Sequence, residues 1–255
     1  MQLIFLFLCL SAWGEDFGPL AQRFAPTIIQ ELGNHPDADE FTLFNYDQDW
    51  NPNNNWDNLD KFPRPRVAYY SVIESEQFYF LTYHLFYPRD YADTCFWVHC
   101  HENDFEGFRL TIQKPDKLIR LETLAHNFLT VHENPMNTTV VVEAGGHGVH
   151  AHLSKTPQAN QKTYAPTDYQ LTPLDEIWQR RHEGLFQGRF EFEGQHYPAQ
   201  FDGQEWIIFG LGRAKPPWAW ETWNAPYKKG EWFLKPLRDK TEKYLQHPYL
   251  NPSSN

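Results

Sequence analysis

The chain has 255 residues, a formal net charge of −11, 17% aromatic residues and only 3 cysteines. An acidic chain without a long basic run has no electrostatic reason to bind nucleic acid, which excludes that class of partner. The length fits one large domain, and the aromatic content favours β-strands or an aromatic-lined binding surface. We therefore expect a single domain over residues 15–255.

The N-terminal stretch MQLIFLFLCLSAWG, residues 1–14, is apolar but too short to span a bilayer. Ala12 and Gly14 supply the small residues that a signal peptidase requires. We predict a signal peptide over residues 1–14 and a secreted or periplasmic chain; a buried first strand is the alternative.

Two cysteines, Cys95 and Cys100, remain after removal of this peptide. An even pair in an oxidising compartment predicts one disulfide, with two free buried thiols as the alternative.

Hydrophobic periodicity predicts mainly strands in the first two thirds of the chain. Residues 19–32 fit a short helix followed by a strand, whereas the Asn- and Asp-rich stretch 45–60 fits a long loop. Residues 67–87 give a β-hairpin signal around Glu76-Gln77. Further strands are predicted over residues 105–113, 118–132 and 138–146. The apolar spacing of residues 118–132 also fits a helix.

The last third predicts short helices over residues 175–186 and 239–246, and a pair of strands over residues 190–201 and 205–212. Between them lies a Trp- and Pro-rich loop at residues 216–236. Short strands separated by Pro and Gly turns are typical of a mainly β fold. We expect a β-sandwich with a few short peripheral helices.

The stretch WVHCHENDFEGF, residues 97–108, holds the densest set of polar groups. Asp104 and Glu106 are two residues apart and share one face of a strand. His101 faces away unless the strand bends at Glu102-Asn103. One imidazole and two carboxylates suit Mg²⁺, Mn²⁺ or Ca²⁺, with Zn²⁺ also possible. A carboxylate acid/base pair and an exposed charged strand end are the alternatives.

A second polar motif is EAGGHGVHAH at residues 143–152, and both motifs contain glycine. Gly107 allows another group to approach the strand closely. In the second motif His147 lies between glycines, and His150 shares a face with His152 in an extended chain. These histidines fit metal ligands or proton shuttles, although surface histidines are the alternative.

Asp47 and Asp49 alternate like the opening of a calcium loop. Pro52 and Asn58 occupy the positions where an EF-hand needs Gly and Glu, which excludes an EF-hand. A hydrogen-bonded Asx loop is the alternative.

Three segments together resemble the necrosis- and ethylene-inducing peptide-like proteins, a family of secreted β-sandwich toxins. They are YHLFYPRD at residues 83–90, the H-x-x-D-x-E pattern from His101 to Glu106, and GGHG at residues 145–148. The resemblance implies that the chain binds a divalent metal and uses it to engage a sphingolipid head group.

By this match the metal ligands are Asp90, His101, Asp104 and Glu106, and His147 is a downstream cavity histidine. Asp93 lies three residues after Asp90 and competes with it for that assignment. The family's G-H-R-H-D-W-E heptapeptide is not conserved throughout, because four positions differ here: Cys100, Glu102, Asn103 and Phe105.

We therefore expect a secreted, monomeric, metal-binding protein without a transmembrane segment that recognises a lipid head group or glycan. Glu102, His99 and His150 join His147 as candidates around the metal.

The tryptophans Trp218, Trp220 and Trp223 are predicted to stack on sugars, to lie at a membrane interface or to pack in the core. The alternative functions are a metal-dependent secreted hydrolase, with Glu102 or His147 as base, and a purely structural scaffold.

Overall fold

A computed structural model of the protein describes residues 16–50, 54–74, 77–91, 100–125, 128–174, 188–192 and 195–199. For residues 100–103 it describes the backbone alone. Several predictions lie outside the described residues: the signal peptide, Asp93, Cys95, His99, the helices over 175–186 and 239–246, the strand over 205–212 and the Trp-rich loop.

The described elements are short helices and twelve strands. The helices are α1 (Gly18–Arg23), α2 (Asn55–Asn58) and a 3₁₀ turn (His152–Ser154). The strands are β1 (Ile28–Glu31), β2 (Val67–Glu74), β3 (Phe78–Tyr91), β4 (Cys100–Gln113), β5 (Lys117–Ala125), β6 (Phe128–Glu133), β7 (Val140–Val142), β8 (Val149–Ala151), β9 (Gln161–Tyr164), β10 (Gln170–Pro173), β11 (Gly188–Phe192) and β12 (Gln195–Ala199).

Two sheets form a β-sandwich, as the sequence predicts. The smaller has the order β8-β7-β1-β9 and the larger β10-β2-β3-β4-β5-β6. Alternate residues of the large sheet, such as Tyr83, Leu85 and Phe108, face inward and pack with Ile28 and Val140 of the small sheet. Among the described residues no helix is long and apolar enough to cross a membrane.

The hairpin predicted over residues 67–87 is confirmed, because β2 and β3 pair antiparallel from Ala68–Leu85 to Glu74–Tyr79. The strand rather than the helix is confirmed for residues 118–132, but this segment forms two paired strands, β5 and β6. Residues 190–201 were likewise predicted as one strand and instead contribute to the β11–β12 hairpin. The sequence between β5 and β6 contains no Gly or Pro, whereas Gly194 lies between β11 and β12 and is a break signal that the strand prediction did not use.

The described part of the Asn-rich stretch, residues 45–50 and 54–60, contains hydrogen bonds between Asn and Asp side chains. Asp47 accepts a hydrogen bond from Asn58 Nδ2 at 2.8 Å, and Asp49 accepts one from Asn54 Nδ2 at 2.9 Å. The preceding Phe44 packs on Phe86 and Phe105, with ring centroids 4.7 and 6.4 Å apart. Since neighbouring Tyr87 belongs to the inward-facing core, Phe86 and this loop lie on the outer side of the large sheet.

Candidate metal centre

Strands β3 and β4 place two carboxylates on the inner face of the large sheet. Asp104 lies opposite Tyr87 and Glu106 opposite Leu85, and both of these partners are core residues. Asp104 and Glu106 are themselves buried. The predicted shared face of the two carboxylates is therefore observed, and it points into the protein.

Asp90 and His147 complete a group with Asp104. One potential ligand atom from each of the three residues lies within 4.8 Å of the other two. All three side chains are almost entirely withdrawn from solvent. Among the His, Cys, Asp and Glu residues that the structure describes, these three have the spacing of a metal site.

His147 reaches this group from the turn between β7 and β8. Gly145 and His147 adopt positive φ angles of 78° and 51°, which glycine tolerates well and histidine more readily than most residues. The backbone N–H of Glu143 donates to Gly148 O at 3.0 Å and closes the turn. The ring of His147 stacks on Tyr87, with centroids 3.7 Å apart and planes 4° apart.

The electrostatics of His147 are dominated by neighbouring carboxylates. Its Nδ1 lies 3.0 Å from Asp104 Oδ2, and its side chain has 0% exposure. Burial favours the neutral ring, but the hydrogen bond with Asp104 and the nearby carboxylates of Asp39 and Asp90 outweigh it and raise the pKa of His147 to about 10. The electrostatic potential around the ring is therefore strongly negative, and a region of negative potential attracts cations.

Asp39 is the site residue that sequence reasoning missed. It is 1% exposed, and its Oδ1 lies 3.5 Å from His147 Nε2. It comes from the segment NHPDADEF, residues 34–41, which shares no motif or periodicity with the turn that it contacts. No local signal in the sequence could have linked the two.

The remaining predicted residues fall into two groups. The backbones of His101 and Glu102 pair with Asp90 and Arg89, so both lie on β4 beside the site. His150 instead contacts Glu143, with Nε2 and Oε1 2.8 Å apart, and is not part of the Asp90–Asp104 group.

The bend at Glu102-Asn103 stays a prediction, because the side chains of these residues are not described and the backbone pairing is interrupted between Pro88 and Asn103. β3 and β4 keep one register from Phe78–Gln113 to Tyr91–Cys100.

The donor set fits a hard or borderline divalent ion. Asp90 and Asp104 offer carboxylate oxygens and His147 an imidazole nitrogen, within a distance that one ion can bridge. Mg²⁺, Mn²⁺ and Ca²⁺ prefer such oxygen-rich sets. Zn²⁺ is accommodated less well, because its closed structural sites favour cysteine and several histidines.

The fold is similar to solved structures of necrosis- and ethylene-inducing peptide-like proteins. A triple mutant of NLPPya matches with a TM-score of 0.41 and 12% identity, over 66% of this chain and 80% of the matched chain. A structure described as a toxin fold for microbial attack and plant defense matches with a TM-score of 0.35 and 12% identity, over 62% and 74%. NLPPya in complex with mannosamine matches with a TM-score of 0.37 and 13% identity, over 62% and 73%. No protein-family model and no curated protein matches the sequence.

Proposed function

We propose that this protein binds a divalent metal ion at the Asp90, Asp104 and His147 group and uses it to recognise an oxygen-rich ligand. The observation that carries the proposal is the convergence of two carboxylates and an imidazole within 4.8 Å inside the sandwich. Protonated His147 balances part of the carboxylate charge in the metal-free protein, and a divalent ion that replaces its proton would balance both carboxylates.

Glu106 and His101 are proposed to complete the metal environment. Glu106 is buried on the same strand face as Asp104. The Cα partner of His101 is Asp90, and residues directly opposite each other in an antiparallel pair share a face. Side chains from both strands would thus surround one ion.

The proposed ligand class is a lipid head group or a glycan, encountered outside the cell. Hard divalent ions bind hydroxyl, carboxylate and phosphate oxygens, which are the groups that such ligands expose. The motif resemblance described above implies the same class.

A hydrolase is the less favoured function. It would need His147 or Glu102 as general base, and the Nδ1 of His147 is already engaged with Asp104.

Metal binding is tested by thermal unfolding and calorimetric titration of the full chain with Mn²⁺, Mg²⁺, Ca²⁺ and Zn²⁺. A metal at about 100 times its Kd stabilises the folded state by about 2.7 kcal/mol. That corresponds to a rise in Tm of about 5–10 °C for a chain of this size. The variant Asp104→Asn should lose the rise, because it removes a ligand charge.

Asp116→Asn is the matched control, since it makes the same chemical change at the exposed ion pair with Arg23. It should keep the metal-dependent rise. If chelator and metal leave the melting curve of the wild-type chain unchanged, the metal proposal is wrong.

Ligand recognition is tested by vesicle flotation and by titration with inositol phosphate, each with Mn²⁺ and with chelator. Vesicles of phosphatidylcholine are compared with vesicles that also contain a glycosylated sphingolipid. Binding that requires both the metal and the sugar head group supports the proposal, whereas equal binding to all vesicles contradicts it.

A further inference from the structure

We propose that Asp39 is a positioning residue for the metal centre, which holds the His147 turn and orients the imidazole so that Nδ1 faces Asp104. The proposal rests on the metal site proposed above. It assigns to Asp39 a task distinct from that of the metal ligands themselves.

Both oxygens of the Asp39 carboxylate hold backbone from different parts of the chain. Oδ2 accepts a hydrogen bond from Gly33 N at 2.6 Å, and Oδ1 accepts one from Gly145 N at 2.6 Å. Gly33 follows β1, and Gly145 lies two residues before His147. Hydrogen bonds to a buried carboxylate are among the stronger ones in proteins, so Asp39 firmly joins the segment after β1 to the turn.

The imidazole of His147 is held by contacts on three sides. Tyr87 stacks on its face, which defines the plane of the ring. Nδ1 lies 3.0 Å from Asp104, within hydrogen-bond distance, whereas Nε2 is buried without a hydrogen-bond partner among the described residues and lies 3.5 Å from Asp39 Oδ1, an electrostatic contact. A rotation that removed Nδ1 from the acidic group would also remove Nε2 from Asp39.

This arrangement matches a general feature of protein metal sites. A metal-binding histidine commonly directs its second nitrogen to a carboxylate, which fixes the tautomer and raises the basicity of the ligand nitrogen. Without metal, Nδ1 donates its proton to Asp104; when a metal binds, that proton would leave, and the carboxylate of Asp39 would favour the tautomer that keeps the proton on Nε2. Loss of such a carboxylate weakens metal binding by about 10–100-fold in other proteins.

A purely structural role for Asp39 is the competing interpretation, and Gly33→Ala is the control that separates the two. A Cβ on Gly33 would lie 3.2 Å from Ala144 Cβ and 3.5 Å from Asp39 Oδ2. It therefore disturbs the contact between Gly33 and the turn, while the carboxylate stays in place. Asp39→Asn keeps the size of the side chain and removes its charge.

The experiment compares wild type, Asp39→Asn and Gly33→Ala as full chains. Calorimetric titration with Mn²⁺ should show affinity reduced by about 10–100-fold in Asp39→Asn and close to wild type in Gly33→Ala. Unchanged affinity in Asp39→Asn, or an equal loss in both variants, overturns the proposal.

Long-range ¹H–¹⁵N spectra of the histidine rings give a second readout, with His147 assigned by its absence in His147→Gln. Without metal, the ¹⁵N shifts of the His147 ring should change in Asp39→Asn and stay as in wild type in Gly33→Ala. Identical His147 signals in all three proteins overturn the positioning role. Failure of wild type to bind any metal would instead reject the proposed function, and the metal-free spectra would still decide the role of Asp39.

Discussion

Gly107 should not tolerate a side chain, because β3 and β4 approach each other closely at this position. A Cβ on Gly107 would lie 2.4 Å from Tyr83 O, and 3.6 Å from the Cα of His84, its partner across the sheet. Both atoms belong to the backbone, so neither can move away by a change of rotamer. Gly107→Ala therefore requires the two central strands to separate.

The free energy of unfolding should fall by about 1–3 kcal/mol, the usual effect of forcing an extra methyl group into a packed region. For a chain of this size each kcal/mol lowers Tm by about 2–4 °C, so the expected decrease is about 2–12 °C. Because Asp104 and Glu106 lie on the same strand, the separation should also weaken Mn²⁺ binding. Circular dichroism melts with metal and with chelator measure both effects.

Gly18→Ala is the matched control. Its new Cβ would lie 3.0 Å from Asp16 Oδ1, which is the end of a side chain that can rotate. Gly18 begins α1, where alanine is a better helix former than glycine. Its Tm should equal or exceed that of wild type, and a Gly107→Ala variant that melts with the wild type would refute the steric reasoning.

Three further substitutions test other parts of the sandwich. Arg109→Met should lower the free energy of unfolding in urea by about 3–5 kcal/mol, because it leaves the buried carboxylate of Glu122 without its ion pair; adding Glu122→Leu should recover much of this loss. Burial raises the pKa of Glu40, but a neighbouring lysine and arginine lower it by a larger amount, so the net shift is downward. Its ionised form therefore stabilises the fold above the unfolded-state pKa of about 4.3, and the stability lost in Glu40→Gln at pH 7 should shrink as the pH falls towards 3. Tyr87→Phe should cost about 0.5–1.5 kcal/mol by removing the hydrogen bond to Gln30, yet leave Mn²⁺ affinity unchanged because the ring still stacks on the site histidine.

The sequence predicted best those features that depend on local periodicity. Alternation identified the β2–β3 hairpin and placed Asp104 and Glu106 on one face, because a strand repeats every two residues. The glycines around His147 indicated a place where backbone can approach a ligand, but the strand predicted over residues 138–146 covers only Val140–Val142, and Gly145 adopts a positive φ of 78° in the turn that follows.

Contacts between segments that are distant in sequence could not be predicted from local periodicity. Asp39 reaches Gly145 across 106 residues of sequence. Neither segment carries a sequence pattern that predicts contact with the other, and only the packing of the two sheets brings them together. The same holds for the stack of Tyr87 on His147, since both residues look locally like ordinary strand and loop positions.

The position of Asp90 reveals an irregularity in β3 that strict strand alternation does not predict. Tyr87 faces inward, so strict alternation would direct Arg89 inward and Asp90 outward. Instead Arg89 donates to Trp56 O of the loop on the outer side, while Asp90 joins Asp104 within. The alternation thus shifts between Tyr87 and Asp90, at Pro88, which has no N–H to contribute to the sheet and is suited to an irregular strand position. The pairing with β4 is interrupted at the same place, because Pro88 and Asn103 do not pair although the residues on both sides keep one register.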